Sequence, residues 1–74
     1  MGETQMDGRR LEIKAELARR GMKHRDLARE LRKRGLPTEE REIAYIINGR
    51  RNPSEEMRQA ISEILGRPTY ILFA

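Results

Sequence analysis

The feature that most constrains the fold is a series of helix-stopping residues that recurs at short intervals along the chain. Glycine ends helices readily, and proline cannot continue one. Such stops stand at Gly21, at Gly35 with Pro37, at Asn48-Gly49, and at Gly66 with Pro68. Because each stretch between two stops holds only a few helical turns, the chain of 74 residues is expected to fold as a bundle of short helices.

Capping residues predict where these helices begin. Asp7 is expected to cap a first helix that runs to about Arg20, and a second helix is expected from about His24 to Arg34. Thr38 is expected to cap a third helix over about residues 39–48, and Ser54 a fourth. Residues 1–6 are polar and expected to be disordered, which leaves residues 7–74 as a single domain.

Apolar residues recur at helical spacing in each segment and predict its inner face. The tail over residues 69–73 is also apolar, so it either packs on the bundle or contacts another molecule. Together these patterns predict an all-α bundle of four to five helices. The expected inner residues are Leu11, Ile13, Ala15, Leu17, Ala18, Leu27, Ala28, Leu31, Leu36, Ile43, Ile46, Ile47, Met57, Ala60, Ile61, Ile64 and Leu65.

Composition excludes several classes of function. The chain has no Cys and one histidine, His24, so it can form neither a disulfide framework nor a thiolate or multi-histidine metal site. No Ser-His-Asp set or Gly-rich phosphate loop is present, so we expect no enzyme, no cofactor and no small-molecule substrate. No apolar run is long enough to span a membrane, and a cytoplasmic protein is expected.

The positive charge is concentrated in one part of the chain. Residues 19–34 contain eight Lys or Arg against Asp26 and Glu30, and Arg50-Arg51 adds a second basic point. A basic stripe on a small helical domain is typical of nucleic-acid binding, although a salt-bridged helix surface gives the same pattern.

Taken together, the helices resemble the Cro/repressor-type (XRE-type) helix-turn-helix domain of phage and bacterial regulators over about residues 11–73. The resemblance implies a lambda-repressor-like fold and a repressor that binds double-stranded DNA as a homodimer in the nucleoid, with the third helix in the major groove. It is carried by Ile13-x-x-x-Leu17-x-x-x-Gly21-Met22, Leu27-Ala28-x-x-Leu31, Ile43-x-x-Ile46-Ile47-Asn48-Gly49-x-Arg51-x-Pro53-Ser54 and Ala60-Ile61-x-x-Ile64-Leu65-Gly66.

The resemblance also implies which residues contact DNA. Side chains on the outer face of the third helix would meet base edges, and the start of the second helix and the residues after the third would meet phosphates. Tyr45 is open to a second interpretation as an aromatic that covers the helix, and His24 as a surface histidine without a task. The expected base contacts are Glu40, Arg41 and Tyr45. The expected backbone contacts are Lys23, His24, Arg25, Asn48, Arg50, Arg51 and Asn52.

Two departures from the family pattern bear on this expectation. Leu31 and Ile43 are twelve residues apart, so the turn between the second and third helices is about five residues longer than usual. The extra residues could add one turn to the second helix or bring residues 32–34 to the phosphates. In addition, Glu39, Glu40 and Glu42 place carboxylates at the start of the third helix, where they would repel DNA unless neutralised or turned aside.

A second hypothesis is a protein-interaction module, such as an antitoxin or phage accessory factor, that has this fold but reads no DNA sequence. It would use the acidic face or the apolar tail, and it predicts weak DNA binding with a shallow dependence on salt. RNA binding is a third option, although no surface aromatic pair suited to base stacking is evident.

Overall fold

The computed structural model of the protein describes residues 9–73, which form five α-helices and, within that range, no strand. The all-α bundle predicted from the sequence is confirmed. The expected disorder of residues 1–6 and the expected cap at Asp7 lie outside the described residues, as does Ala74. The helices are α1 (Leu11–Arg19), α2 (His24–Lys33), α3 (Glu40–Ile47), α4 (Glu55–Leu65) and α5 (Thr69–Leu72).

A single apolar core lies between the helices, and Met22, Leu36, Met57, Ile64 and Phe73 pack against it partly buried. Every helix contributes to it, α5 through Leu72, which is 1% exposed. The apolar tail therefore packs on the chain's own core, which is the first of the two alternatives that the sequence left open. The buried members are Ile13, Leu17, Leu27, Ala28, Leu31, Ile43, Ile46, Ile47, Ala60, Ile61, Leu65 and Leu72.

The predicted inner face of α1 is partly wrong. Ile13 and Leu17 are buried, but Leu11 is 59% exposed and Ala18 is also exposed. The helix starts at Leu11, after Arg9 and Arg10, rather than directly after residue 7. In a helix of 3.6 residues per turn, Leu11 and Ala18 lie on the side opposite Ile13 and Leu17.

The third buried residue of α1 is Glu16, a carboxylate that is only 6% exposed. Its oxygens lie 2.5 Å from Arg19 Nη1, 3.5 Å from Arg20 Nε and 3.6 Å from Arg67 Nε. A buried carboxylate is tolerated when cations and donors replace its lost hydration. Because Arg67 stands between α4 and α5, Glu16 ties α1 to the end of the chain.

The predicted cap of α3 is also wrong. Thr38 is 2% exposed, and its hydroxyl donates to the Leu36 carbonyl at 2.8 Å instead of capping the helix. Glu39 occupies the N-cap position, and its N–H donates to Glu42 Oε1 at 3.0 Å. The turn between α2 and α3 thus runs over residues 34–39, and its extra length lies in the loop rather than in α2. By contrast, the cap at Ser54 is confirmed, since its Oγ accepts from Met57 N.

Replacing Glu16 with Gln should lower the free energy of unfolding by about 1–3 kcal/mol, because the amide keeps the shape of the side chain but loses its charge-assisted bonds. Glu12→Gln is the matched control, because Glu12 lies exposed on the same helix. Urea unfolding followed by circular dichroism would measure both variants. Equal losses in the two variants would show that the Glu16 cluster contributes nothing beyond a surface charge.

Candidate functional site

Burial of the inner face of α3 in the core determines which of its side chains are exposed on the outer face. Ile43, Ile46 and Ile47 are at most 4% exposed, so the opposite side of the helix, which carries Arg41 and Tyr45, faces outward. Glu40 and Arg41 are exposed, and Tyr45 is 38% exposed. The three residues predicted to contact bases therefore all have side chains accessible on the helix surface. Tyr45 still covers part of the helix, so its exposure fits both interpretations.

Two adjoining hollows lie beside α3, and both are lined by His24 and Ala44. We call them together the His24 surface. The smaller hollow, about 110 Å³, lies between α1, α2 and the end of α3; the larger, about 450 Å³, lies along the start of α3. The smaller is also lined by Arg9, Leu11, Lys14, Ile47 and Asn48, and the larger by Glu39, Glu40 and Arg41.

His24 is the first residue of α2 and is partly buried in this surface. The helix start is held by Asp26, whose Oδ2 accepts from the Lys23 N–H at 2.8 Å. This hydrogen bond, aided by the charges of Arg29, Arg25 and Lys23, holds the pKa of Asp26 below its ordinary value despite an opposing effect of desolvation. Lys23 and Arg25 are exposed on either side of His24.

The residues after α3 are positioned by a glycine in the left-handed conformation. Gly49 has a φ of 79°, and the chain turns back so that the N–H groups of Arg50 and Arg51 donate to the Tyr45 carbonyl at 2.9 and 3.3 Å. Asn48 is the C-cap, and its side chain is exposed, as is that of Arg50. Among the residues predicted to contact a nucleic-acid backbone, Asn48 thus lines the His24 surface, and Arg50 follows it in the chain by two residues.

Arg10 clamps this end of α3 from outside the helix. Its backbone N–H donates to the Ile47 carbonyl at 2.7 Å, and its Nη1 donates to the Ile46 carbonyl at 2.7 Å. The same guanidinium reaches the Arg51 carbonyl at 3.3 Å and Asn52 Oδ1 at 2.8 Å. A cation at the C-terminal end of a helix satisfies free carbonyls and complements the helix dipole.

Phe73 connects the same clamp to the end of the chain. The guanidinium carbons of Arg10 and Arg58 lie 5.6 and 5.7 Å from the centre of its ring, within cation–π range. Burial, and then the charge of Arg58, lower the pKa of Arg10 from its usual value. Arginine stays protonated under such shifts, so the contact holds two cations against one aromatic ring.

The acidic start of α3 is partly neutralised by the loop that follows the helix. Glu42 is one of the three carboxylates that would repel an anion there, and its Oε2 accepts from Arg51 Nη1 at 2.5 Å. Since its Oε1 already accepts from Glu39 N, Glu42 is turned away from the outer face. Arg51 is therefore used within the chain, although its side chain stays 51% exposed.

Most cations of the basic segment over residues 19–34 are also used within the chain. Arg34 pairs with Glu63 at 2.6 Å, and Arg32 donates to the Thr38 carbonyl at 2.7 Å, so residues 32–34 are held by the protein itself. The salt-bridged surface foreseen as the alternative accounts for five of the eight cations, and a hydrogen bond to a backbone carbonyl holds a sixth. The six are Arg19 and Arg20 with Glu16, Arg29 with Asp26, Lys33 with Glu30, Arg34 with Glu63, and Arg32 with the Thr38 carbonyl. Arg20 also donates to the Leu65 carbonyl.

The unpaired cations include two that line the His24 surface. Five Lys or Arg side chains make no ion pair or hydrogen bond with another residue between 9 and 73. Lys14 and Arg41 line the two hollows of the His24 surface, Lys23 and Arg25 flank His24 in the chain, and Arg50 follows Asn48 by two residues. A cluster of unpaired cations creates a positive potential that attracts anionic ligands.

Comparisons with protein families, with curated protein sequences and with solved structures find no match to this chain. Over residues 9–73, no helix is long and apolar enough to cross a membrane. In the same part of the chain, no group of three or more His, Cys, Asp or Glu side chains could hold a metal ion.

Sequence reasoning missed two residues that shape this site. Lys14 was assigned no role, yet it lines the smaller hollow together with Leu11. The Arg10 clamp was also missed, since its partners lie 36 to 42 residues away. One signal pointed to Lys14: it lies on the exposed side of α1, next to the inner face that Ile13 and Leu17 define.

Arg10→Ala should lower the free energy of unfolding by about 2–3 kcal/mol, because the Ile46 carbonyl, the Arg51 carbonyl and Asn52 Oδ1 lose a charged donor. Arg10→Lys should fall between this variant and the wild type, since an ammonium keeps the charge but not the planar fork. Thermal unfolding and amide hydrogen exchange of Arg50 and Arg51 would measure the effect. Unchanged exchange at these two amides in Arg10→Ala would contradict the clamp.

Proposed function

We propose that this chain is a DNA-binding transcriptional regulator of the Cro/repressor kind. In this proposal α3 enters the major groove, and the cations on and beside the His24 surface contact the phosphates on either side. The observation that carries the proposal is that two unpaired cations, Lys14 and Arg41, line the hollows of the His24 surface and two more adjoin His24 in the chain, while the other cations of the basic segment are paired internally.

The outer face of α3 supports a role in reading bases. Arg41 is exposed at the larger hollow with no internal partner between residues 9 and 73, and its planar fork can bond both acceptors of a guanine. Glu40 can accept from a cytosine amino group, and Tyr45 can reach a base edge or a phosphate. The pairing of Glu42 with Arg51 removes one of the three carboxylates that would repel the groove.

The proposed form that binds DNA is a homodimer. An α3 of eight residues offers few base contacts, and pairing two half-sites is how domains of this size reach useful affinity. The proposed setting is the nucleoid of a bacterium, or of a bacterium that carries a phage, where such a regulator would act.

A groove on α4 favours a second candidate function, which is binding of another protein. Leu36 and Ala60 line it together with Glu55, Glu56 and Glu63, and its volume is about 510 Å³. Glu63 pairs with Arg34, whereas Glu55 and Glu56 make no ion pair with another residue between 9 and 73. A regulator could use this acidic face and the His24 surface together, or the acidic face alone as an antitoxin or accessory factor.

Two matched arginine variants would test the proposed readout. After selection of preferred sites from random duplex DNA, Arg41→Ala should cost about 1–3 kcal/mol of binding free energy on the preferred site and relax the preference at one base pair. Arg50→Ala should weaken binding to all sequences alike and reduce the salt slope by about 1. Fluorescence anisotropy at several salt concentrations measures both effects.

Equal losses in the two variants on every DNA would contradict readout by α3. Absence of salt-dependent DNA binding in the wild type would reject the proposal as a whole and favour the protein-binding alternative. Circular dichroism of each variant checks that the helical content is unchanged.

A further inference from the structure

His24 lines the proposed DNA-binding surface, but the proposed function gives no role to a change in the charge of its ring. It is the only histidine of the chain, and its ring lies where both hollows of the His24 surface meet. Histidine is the side chain whose charge ordinarily changes between pH 5 and 8. A group that gains charge at the centre of an anion-binding surface can couple ligand binding to pH.

The charged groups that face His24 come from every neighbouring element. From the α1 side, Arg9 and Lys14 line the smaller hollow with it. From α3, Arg41, Glu39 and Glu40 line the larger hollow with it. Three cations and two carboxylates therefore line the hollows with His24, and two more cations, Lys23 and Arg25, flank it in sequence.

This arrangement makes the charge of the ring depend on what occupies the surface. A phosphate in the smaller hollow would offset the charge of Lys14 and accept a hydrogen bond from the ring. The protonated imidazole has two N–H donors where the neutral form has one, so it is the better partner for an anion.

We propose that His24 takes up a proton when a DNA phosphate enters the His24 surface, so that the DNA affinity of this chain rises as the pH falls from about 8 to about 6. The inference rests on the proposed function, because it needs DNA as the ligand. Linkage makes the coupling reciprocal: a ligand that favours the protonated ring is bound more tightly where protons are more available.

Protonation of His24 would change the salt dependence of DNA binding, which a change in the stability of the protein would not do. Each cation that neutralises a phosphate releases counterions and steepens the dependence of log affinity on log salt by about 0.9. If His24 becomes a cationic contact, the salt slope per bound chain should be steeper by about 0.9 at pH about 6 than at pH about 8. If His24 stayed neutral and only donated a hydrogen bond, it would contribute to the DNA affinity but would leave the salt slope the same at both pH values.

The experiment measures salt slopes for the full chain on one duplex of about 20 base pairs, at pH about 6 and about 8, by fluorescence anisotropy. His24→Gln is the informative variant because it keeps a hydrogen-bond donor but does not titrate. Its salt slope should be the same at both pH values. Because the wild type and His24→Gln share the same N-terminal amine, a difference between them reports on His24 and not on that amine. Circular dichroism at both pH values checks that each protein is folded.

The results separate failure of the inference from failure of the proposed function. A steeper wild-type slope at the lower pH, absent in His24→Gln, supports proton uptake at His24. Salt-dependent binding with one slope at both pH values, or a pH-dependent slope that His24→Gln retains, overturns the inference and leaves the proposed function standing. No salt-dependent binding at either pH overturns both.

Discussion

The structure depends on burial of one face of α3, an eight-residue helix that its own hydrogen bonds could not keep folded. Ile43, Ile46 and Ile47 supply that burial, and because they are almost fully excluded from water they also fix which residues face outward. The free carbonyls at the end of the helix are satisfied by Arg10 instead of water. The orientation of Arg41 and Tyr45 therefore follows from core packing on one side of the helix and from a single guanidinium at its end.

The same packing determines which cations are paired within the chain and which are not. Arginines that lie near a carboxylate or a free carbonyl are used to join elements: Arg20 and Arg67 meet Glu16, and Arg34 meets Glu63 across α2 and α4. Such pairs on a partly exposed surface contribute little individually, but they remove charge from that surface. Of the cations left unpaired, Lys14 and Arg41 line the His24 surface, and Lys23 and Arg25 adjoin His24 in the chain. This grouping, more than the net charge of +4, supports the proposal of an anionic partner.

The sequence predicted the features that depend on local chemistry. The helix stops and the apolar spacing of α2, α3 and α4 placed those elements, and the cap at Ser54 was foreseen because a serine before a helical pattern is a local signal. Features set by distant partners could not be foreseen. Glu16 looks like a surface residue in a helical pattern until Arg67 approaches it, and Thr38 looks like a cap until its hydroxyl turns to Leu36. Equally, nothing in the sequence separates the paired from the unpaired cations.

The central claim is that the His24 surface and the outer face of α3 bind DNA, whereas the acidic groove of α4 does not. Titration of the isotopically labelled chain with duplex DNA at low salt, followed by amide chemical shifts, tests this residue by residue. The account predicts concentration-dependent shifts at His24, Arg41 and Asn48 and unchanged positions at Glu55 and Glu56. Shifts confined to the α4 groove, or an unchanged spectrum at DNA concentrations well above that of the protein, would contradict it.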